Sequence, residues 1–229
     1  YYAILGGKVK PDDVRDTAYL FRSRNLEHWE YLHPFYTPQP QWTDAGDDCA
    51  CPDFFPIGNR YALLCISHAK GARCYLGRYQ AQTFLPEEHQ LLNWPGGCCF
   101  APETLVDGRG RRLMWAWALD QRQGWEEKGV PGVMTMPRVL SLGSDGQLRI
   151  APAAELESLR RNRRQWENLV VSSDSQASPL ALAGECMELA MAVDVGATAT
   201  FGVRLRSSPD GQEQSTILYD AARGELTID

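Results

Sequence analysis

The sequence has no excess of positive charge. Its 23 Lys and Arg stand against 29 Asp and Glu, giving a formal net charge of −6 and a pI of about 5.3. No basic field is available to hold a polyanion, so nucleic acid is not an expected partner. Long apolar runs are missing as well. None approaches the roughly 18 residues that a spanning helix requires, so no membrane role is expected. Residues Tyr1 to Leu5 run straight into Gly6-Gly7 with no basic segment ahead of them, so no signal peptide is read there. A regular cysteine framework is lacking too. The seven cysteines, at 49, 51, 65, 74, 98, 99 and 186, are odd in number. Cys49/Cys51 and Cys98/Cys99 do not match the Cys-x2-Cys spacing of zinc sites, so no metal is expected. They read as buried or loop thiols in a reducing compartment, which favours the cytoplasm over secretion. Helical periodicity is nearly absent, and nothing calls for an organic cofactor.

What remains is an ordinary globular composition, 44% hydrophobic and 23% charged, written in short alternating segments. Strands are expected at Tyr1–Leu5, Asp16–Arg22, Trp29–Leu32, Tyr61–Ser67 and Arg73–Tyr79. Further strands are expected near Phe84, at Thr104–Val106, Leu113–Ala118, Val133–Met136, Arg138–Leu142 and Leu148–Ile150. Asp107-Gly108-Arg109-Gly110 and Gly143-Ser144-Asp145-Gly146 are hairpin turns. Turn signals every 8–12 residues argue for an all-β sandwich, barrel or propeller. Residues 34–48 and the stretch from Cys49 to Gly58 read as loops held at one end of a sheet, as does Gly96 to Glu103. Such loops are where chemistry is usually sited.

One segment departs from the strand pattern. Pro152 opens a helical spacing that runs to about residue 168, with Leu156, Leu159 and Trp166 among Glu and Arg. The basic run 160–164 reads as the solvated face of this connector. Beyond 172 the alternation returns at Met187–Val195, Thr200–Leu205 and Gln214–Tyr219. The expected organisation is a β domain over 1–152, a helical linker over 153–170 and a second, partial β domain over 171–229.

Cys51-Pro52-Asp53-Phe54-Phe55-Pro56 resembles the matching motif of glycoside hydrolase family 32, the invertases, levanases and inulinases. Leu20 to Tyr31, Phe100-Ala101-Pro102-Glu103-Thr104-Leu105, Trp115-Ala116-Trp117 and Gly132 to Leu142 are similar to successive segments of that family, in its order. The resemblance covers about residues 1–160. It implies a five-bladed β-propeller followed by a β-sandwich, here without the first blades and with the start of the sandwich. It also implies β-fructosidase activity on a sucrose- or fructan-type substrate, and a retaining mechanism.

That mechanism uses two carboxyl groups about 5–5.5 Å apart, one as nucleophile and one as acid/base. The family's Asn-Asp-Pro and Arg-Asp-Pro motifs are absent, and Arg15-Asp16-Thr17 is not a substitute for either. The nucleophile is therefore expected upstream, and the chain by itself is expected to be inactive. The decisive departure is at residue 50. The family pattern Glu-Cys-Pro-Asp reads Ala50-Cys51-Pro52-Asp53 here, and a methyl group donates no proton. Glu103 is the leading replacement acid and Asp48 the second, two residues from the lost carboxyl and on the same side of an extended segment. The alternative is a non-catalytic propeller that binds a fructoside. A related furanosidase acting on an arabinoside is a weaker reading. A deliberate Glu-to-Ala change fits poorly, because Cys49 also departs from the family's Trp. Asp53, Ala50, Cys51 and Trp94 are the expected substrate-binding positions. Trp115 and Trp117 share one strand face and are expected in a blade core, while Trp125 could stack on a sugar. His68, at a strand end, reads equally as pocket wall or surface.

Overall fold

Most strands form where the alternation predicts them, and the strands within each sheet pair antiparallel. The fold comes from a computed structural model, which describes residues 1–8, 15–93, 98–120, 129, 132–172, 180, 182–184, 186–196 and 200–229. The chain divides into two compact units, Tyr1–Leu159 and Arg160–Asp229.

The first unit holds three antiparallel sheets. One contains β1 (Tyr2–Lys8), β2 (Asp16–Ser23) and β3 (Trp29–Pro34) in that order. The second contains β4 (Ala50–Ile57), β5 (Arg60–Ser67), β6 (Gly71–Gln80) and β7 (Thr83–Leu91), again in chain order. The third contains β8 (Cys99–Val106), β9 (Arg112–Leu119), β10 (Gly132–Met134), β11 (Arg138–Leu142) and β12 (Leu148–Pro152). Here β8 pairs along one edge of β9, and the other edge is shared by β10, opposite residues 117–119, and β11, opposite residues 112–114.

The second sheet is apolar on both faces because both are covered. Leu63 and Cys65 of β5 face Ala18 and Leu20 of β2, with Phe35, Tyr75 and Phe84. Ala62 and Leu64 face the other way, onto Phe55, Leu76, Met114, Leu140 and Leu148. Residues 62 to 65 are fully buried. Burying each leucine contributes about 1.5–3 kcal/mol. Sheets stacked face to face in chain order are successive propeller blades, the all-β architecture expected.

Several local expectations are corrected. The stretch expected as a loop from Cys49 to Gly58 is mostly strand β4, and much of Gly96 to Glu103 is strand β8. Among the described residues each lies at an edge of its pairing, β4 beside β5 and β8 beside β9. An edge strand can hold Pro52, Pro56 or Pro102 without losing a ladder bond. The helix expected over 152–168 is a six-residue 3-10 helix, Ala154–Leu159, and residues 160–172 have no regular structure. None of its residues is buried. A short helix with no buried face has little to extend it in water; what anchors this one is Glu155, paired at 2.8 Å with Arg109 and Arg111. Trp115 and Trp117 are not in the blade core. Met114 and Ala116 take the buried face of β9, leaving Trp117 39% exposed. The two tryptophans share a face, as period two requires, but it is the smaller Met114 and Ala116 that hold the buried one.

In the second unit, β13 (Thr200–Leu205), β14 (Ser215–Asp220) and β15 (Glu225–Ile228) form one antiparallel sheet. The strand expected at Met187–Val195 is not formed. Its alternating side chains Met187, Leu189, Met191 and Val193 are 40–50% exposed, and the segment pairs with no described strand.

Candidate active site

The heads of β4 and β8 are built alike. In β4, Ala50 pairs with Ile66 and Asp53 with Leu64, so Cys51 and Pro52 share one partner, Cys65. In β8, Phe100 pairs with Trp117 and Glu103 with Trp115, so Ala101 and Pro102 share Ala116. Each is a one-residue bulge, and each puts a non-glycine residue at positive φ: Cys51 at 48° and Ala101 at 44°. A bulge bends the strand and re-aims the side chains that follow. Those side chains are Asp53 and Glu103, which hold equivalent places on adjacent blades.

Asp53 does not reach into open space. Its Oδ2 accepts a 2.6 Å hydrogen bond from Thr104 Oγ1, and Thr104 Oγ1 accepts one of 2.7 Å from Arg112 Nη1. The Arg112 guanidinium lies 4.0 Å over the Phe55 ring. Burial lowers the Arg112 pKa, and the Asp53 charge opposes that fall. Asp53 therefore ties the second blade to the third.

Glu103 is exposed, yet its carboxyl is raised above the usual range, first by partial burial and then by the Asp53 charge. The Cys51 thiol is pushed up by burial, then by the charges of Glu103, Cys49 and Asp48. Glu103 and Asp48 thus both lie in the electrostatic neighbourhood of residue 51, next to the methyl of Ala50. An open depression of about 420 Å³ adjoins this point, lined by residues 5–8 of β1 and 48–52 at the head of β4. Gly6 allows the two strands to meet: a Cβ there would sit 1.8 Å from the Cys49 carbonyl oxygen.

Asp48 is engaged on both oxygens. Oδ1 accepts from the His68 backbone N–H at 2.9 Å, and Oδ2 lies 2.6 Å from His68 Nδ1. Beneath this pair runs a buried polar network. Arg73 donates to the Asp48 carbonyl at 3.1 Å and lies 3.7 Å from Asp47. Burial disfavours the Arg73 charge, but Tyr75, Cys65, Asp16 and Asp47 hold it protonated. Asp47 also accepts from Ser67 Oγ at 2.8 Å and from Lys70 Nζ at 3.2 Å. Asp16 is fully buried and accepts from the hydroxyls of Tyr36 and Tyr75. It belongs to this network and does not border the depression.

The structure thus brings together Asp48, Ala50, Cys51 and Glu103, with Asp53 behind them. Trp94 and Trp125 lie outside the described residues. Sequence reasoning left His68 undecided, missed Thr104 and Arg112, and did not see the repeated bulge. The repeat is visible in the letters, as Cys-Pro-Asp at 51–53 and Ala-Pro-Glu at 101–103.

The family model of the Glycosyl hydrolases family 32 N-terminal domain matches residues 1–152, and that of the Glycosyl hydrolases family 32 C terminal matches residues 155–229. A sucrose-6-phosphate hydrolase of Zymomonas mobilis is 28% identical over 233 residues, covering 92% of this chain and 44% of that enzyme. One of Bacillus subtilis is 31% identical over 194 residues, covering 72% of this chain and 38% of the relative. The chain thus spans less than half the length of these relatives. A β-fructofuranosidase of Bombyx mori superposes with a TM-score of 0.69 at 18% identity, over 99% of this chain and 48% of that one. A variant of that enzyme is solved in complex with sucrose. Fructan 1-exohydrolase IIa of Cichorium intybus superposes with a TM-score of 0.68 at 22% identity, over 99% of this chain and 52% of that one, and a variant is solved with 1-kestose.

Proposed function

The chain belongs to glycoside hydrolase family 32, and from that premise we propose that the full-length protein hydrolyses β-fructosides of the sucrose and fructan type. The observation that carries this reading is the match of both family domains, in order, along the chain. The sucrose and 1-kestose bound by the fold's relatives support an oligosaccharide substrate. On this reading residues 1–152 contribute propeller blades, 153–170 a connector and 171–229 part of a sandwich. The reaction proceeds with retention, through a carboxylate nucleophile from the remainder of the protein.

Ala50 throws the acid/base step onto its neighbours. Two carboxyls act on the adjacent Cys51, Glu103 and Asp48. The raised pKa of Glu103 is what a proton-holding carboxyl needs. Ala50 and Cys51 line the sugar's side of the site, and Asp53 holds the blade that carries Glu103. A second reading rests on Ala50 itself: with no replacement donor, the same face binds a fructoside and does not cleave it.

The test is hydrolysis of sucrose, inulin and levan by the full-length protein, beside Glu103→Gln and Asp48→Asn. Turnover of any of these substrates supports the enzyme, and a variant that abolishes it with ligand affinity kept marks the carboxyl that carries the acid/base step. Binding of fructosides with no turnover of any substrate replaces it with the binder. Proton NMR of the first-formed sugar reads retention directly.

A further inference from the structure

Asp48 and His68 face each other just beyond the paired ends of β4 and β5. The register Ala50↔Ile66 places residue 48 across from residue 68. The two side chains differ sharply in access: Asp48 is 17% exposed and His68 72%. A carboxylate can only accept, so the 2.6 Å contact with Nδ1 puts the hydrogen on Nδ1. Nε2 then points away from Asp48, and it has no hydrogen-bond partner among the described residues. The backbone on both sides is pinned. Arg73 holds the Asp48 carbonyl, and the Asp47 carboxylate holds Ser67 Oγ, one residue before His68. The His68 ring meets the Phe100 ring edge to face at 6.5 Å. It therefore leans toward the head of β8, the strand that carries Glu103.

We propose that the Asp48–His68 couple supplies the acid/base function that Ala50 cannot, with His68 handling the proton and Asp48 acting as its positioning residue. This rests on the fructosidase reading and deepens it. Asp48 alone is a poor donor because both its oxygens are occupied. A carboxylate behind an imidazole fixes the ring's tautomer and orientation. In the first half-reaction, protonated His68 gives its Nε2 hydrogen to the glycosidic oxygen as the bond from that oxygen to the fructosyl anomeric carbon breaks. The carboxylate nucleophile of the full-length protein bonds to that carbon. In the second half, neutral Nε2 takes a proton from water, whose oxygen displaces the carboxylate. One water enters, two sugar products leave, and His68 is protonated again.

The rival role for the pair is purely structural: Asp48 caps the end of the β4–β5 ladder and His68 adds nothing. The two differ in how they depend on the leaving group. The experiment uses the full-length protein with sucrose and with a nitrophenyl β-fructoside, whose departing oxygen needs no proton. His68→Gln is expected to lower kcat on sucrose by about 10²–10⁴-fold. The rate of the first turnover of the nitrophenyl substrate should stay within a few-fold. Added azide should then raise turnover and yield a fructosyl azide of retained configuration. Asp48→Asn should lower kcat on sucrose by a smaller factor at near-constant KM. No fall on either substrate, or equal falls on both, in His68→Gln overturns the proposal in favour of the structural role. The leaving-group split appearing in Glu103→Gln instead overturns it in favour of Glu103. A full-length protein that turns over neither substrate removes the fructosidase reading, and the proposal with it.

Discussion

Cys51 and Ala101 hold the same backbone position in two successive blades. Each is left-handed, at φ 48° and 44°, and each is followed by a proline and then an acid. A left-handed L-residue costs about 1–2 kcal/mol, and a residue before proline is held away from helical space, so neither conformation is a local preference. The ladders on either side impose it. Ala101→Val should therefore destabilise by about 1–2 kcal/mol, since a β-branched side chain tolerates positive φ least. Ala101→Gly should lie between neutral and about 1 kcal/mol stabilising, because relief of strain is offset by unfolded-state entropy. Denaturant midpoints of the two variants check this; equal midpoints would remove the bulge.

The bond between Asp53 and Thr104 should behave as a coupling between blades. Thr104→Val leaves Asp53 Oδ2 and Arg112 Nη1 without this shared hydroxyl. The loss should be about 1–3 kcal/mol. Asp53→Ala should cost a similar amount, and the double variant less than the sum, with a coupling of about 0.5–3 kcal/mol in a double-mutant cycle. Additive effects would mean that the contact carries no stability.

Much of this fold was legible because period-two alternation and Asp-Gly turns are local signals. Asp16–Ser23, Arg60–Ser67 and Arg138–Leu142 could be placed to within a residue or so. The head of β4 was not legible, because Gly58-Asn59 marks only where the next strand begins, and prolines at 52 and 56 fit a strand only at an edge. The 3-10 segment was not either: Leu156 and Leu159 have helical spacing, but neither is buried. At the site, the motif located Ala50, Asp53 and Glu103. What the motif could not give is that Asp53 turns to Thr104, or that His68 turns to Asp48. Both contacts cross between chain segments, by 51 and 20 positions respectively.

Asp16 should be worth more to stability than either tyrosine that serves it. Tyr36 and Tyr75 both donate to its Oδ2 from fully buried positions, and burial pushes the pKa of each up. Tyr75→Phe removes one charge-assisted bond and should cost about 1.5–3 kcal/mol. Asp16→Ala strands two buried hydroxyls at once and should cost more than Tyr75→Phe and Tyr36→Phe individually. Unfolding free energies of the three variants decide the order; a milder Asp16→Ala would mean that the hydroxyls find other acceptors.

His89 should make the first unit lose stability in mild acid. Its imidazole stacks on Trp42 with ring planes 18° apart and packs against Tyr75 at 5.1 Å. Burial, and then the Arg73 charge, lower its pKa to about 4 from 6.5, against the opposing pull of Asp16. The unfolded chain takes up a proton that the folded one refuses between those two values. The contribution is thus whole above pH 6.5 and is lost as pH falls toward 4. The full shift corresponds to at most about 3 kcal/mol. Asp47 acts in a lower window. Burial would raise its carboxyl, but Ser67, the Asp44 backbone N–H, Lys70 and Arg73 together hold it below its ordinary 3.8, so its share is lost only as pH drops beneath that value. His89→Phe should flatten the stability profile between pH 7 and 4 while leaving the steeper fall below it, and Asp47→Asn should do the reverse. Unfolding free energies measured at half-unit pH steps separate the two, and an unchanged upper slope in His89→Phe would place the acid sensitivity elsewhere.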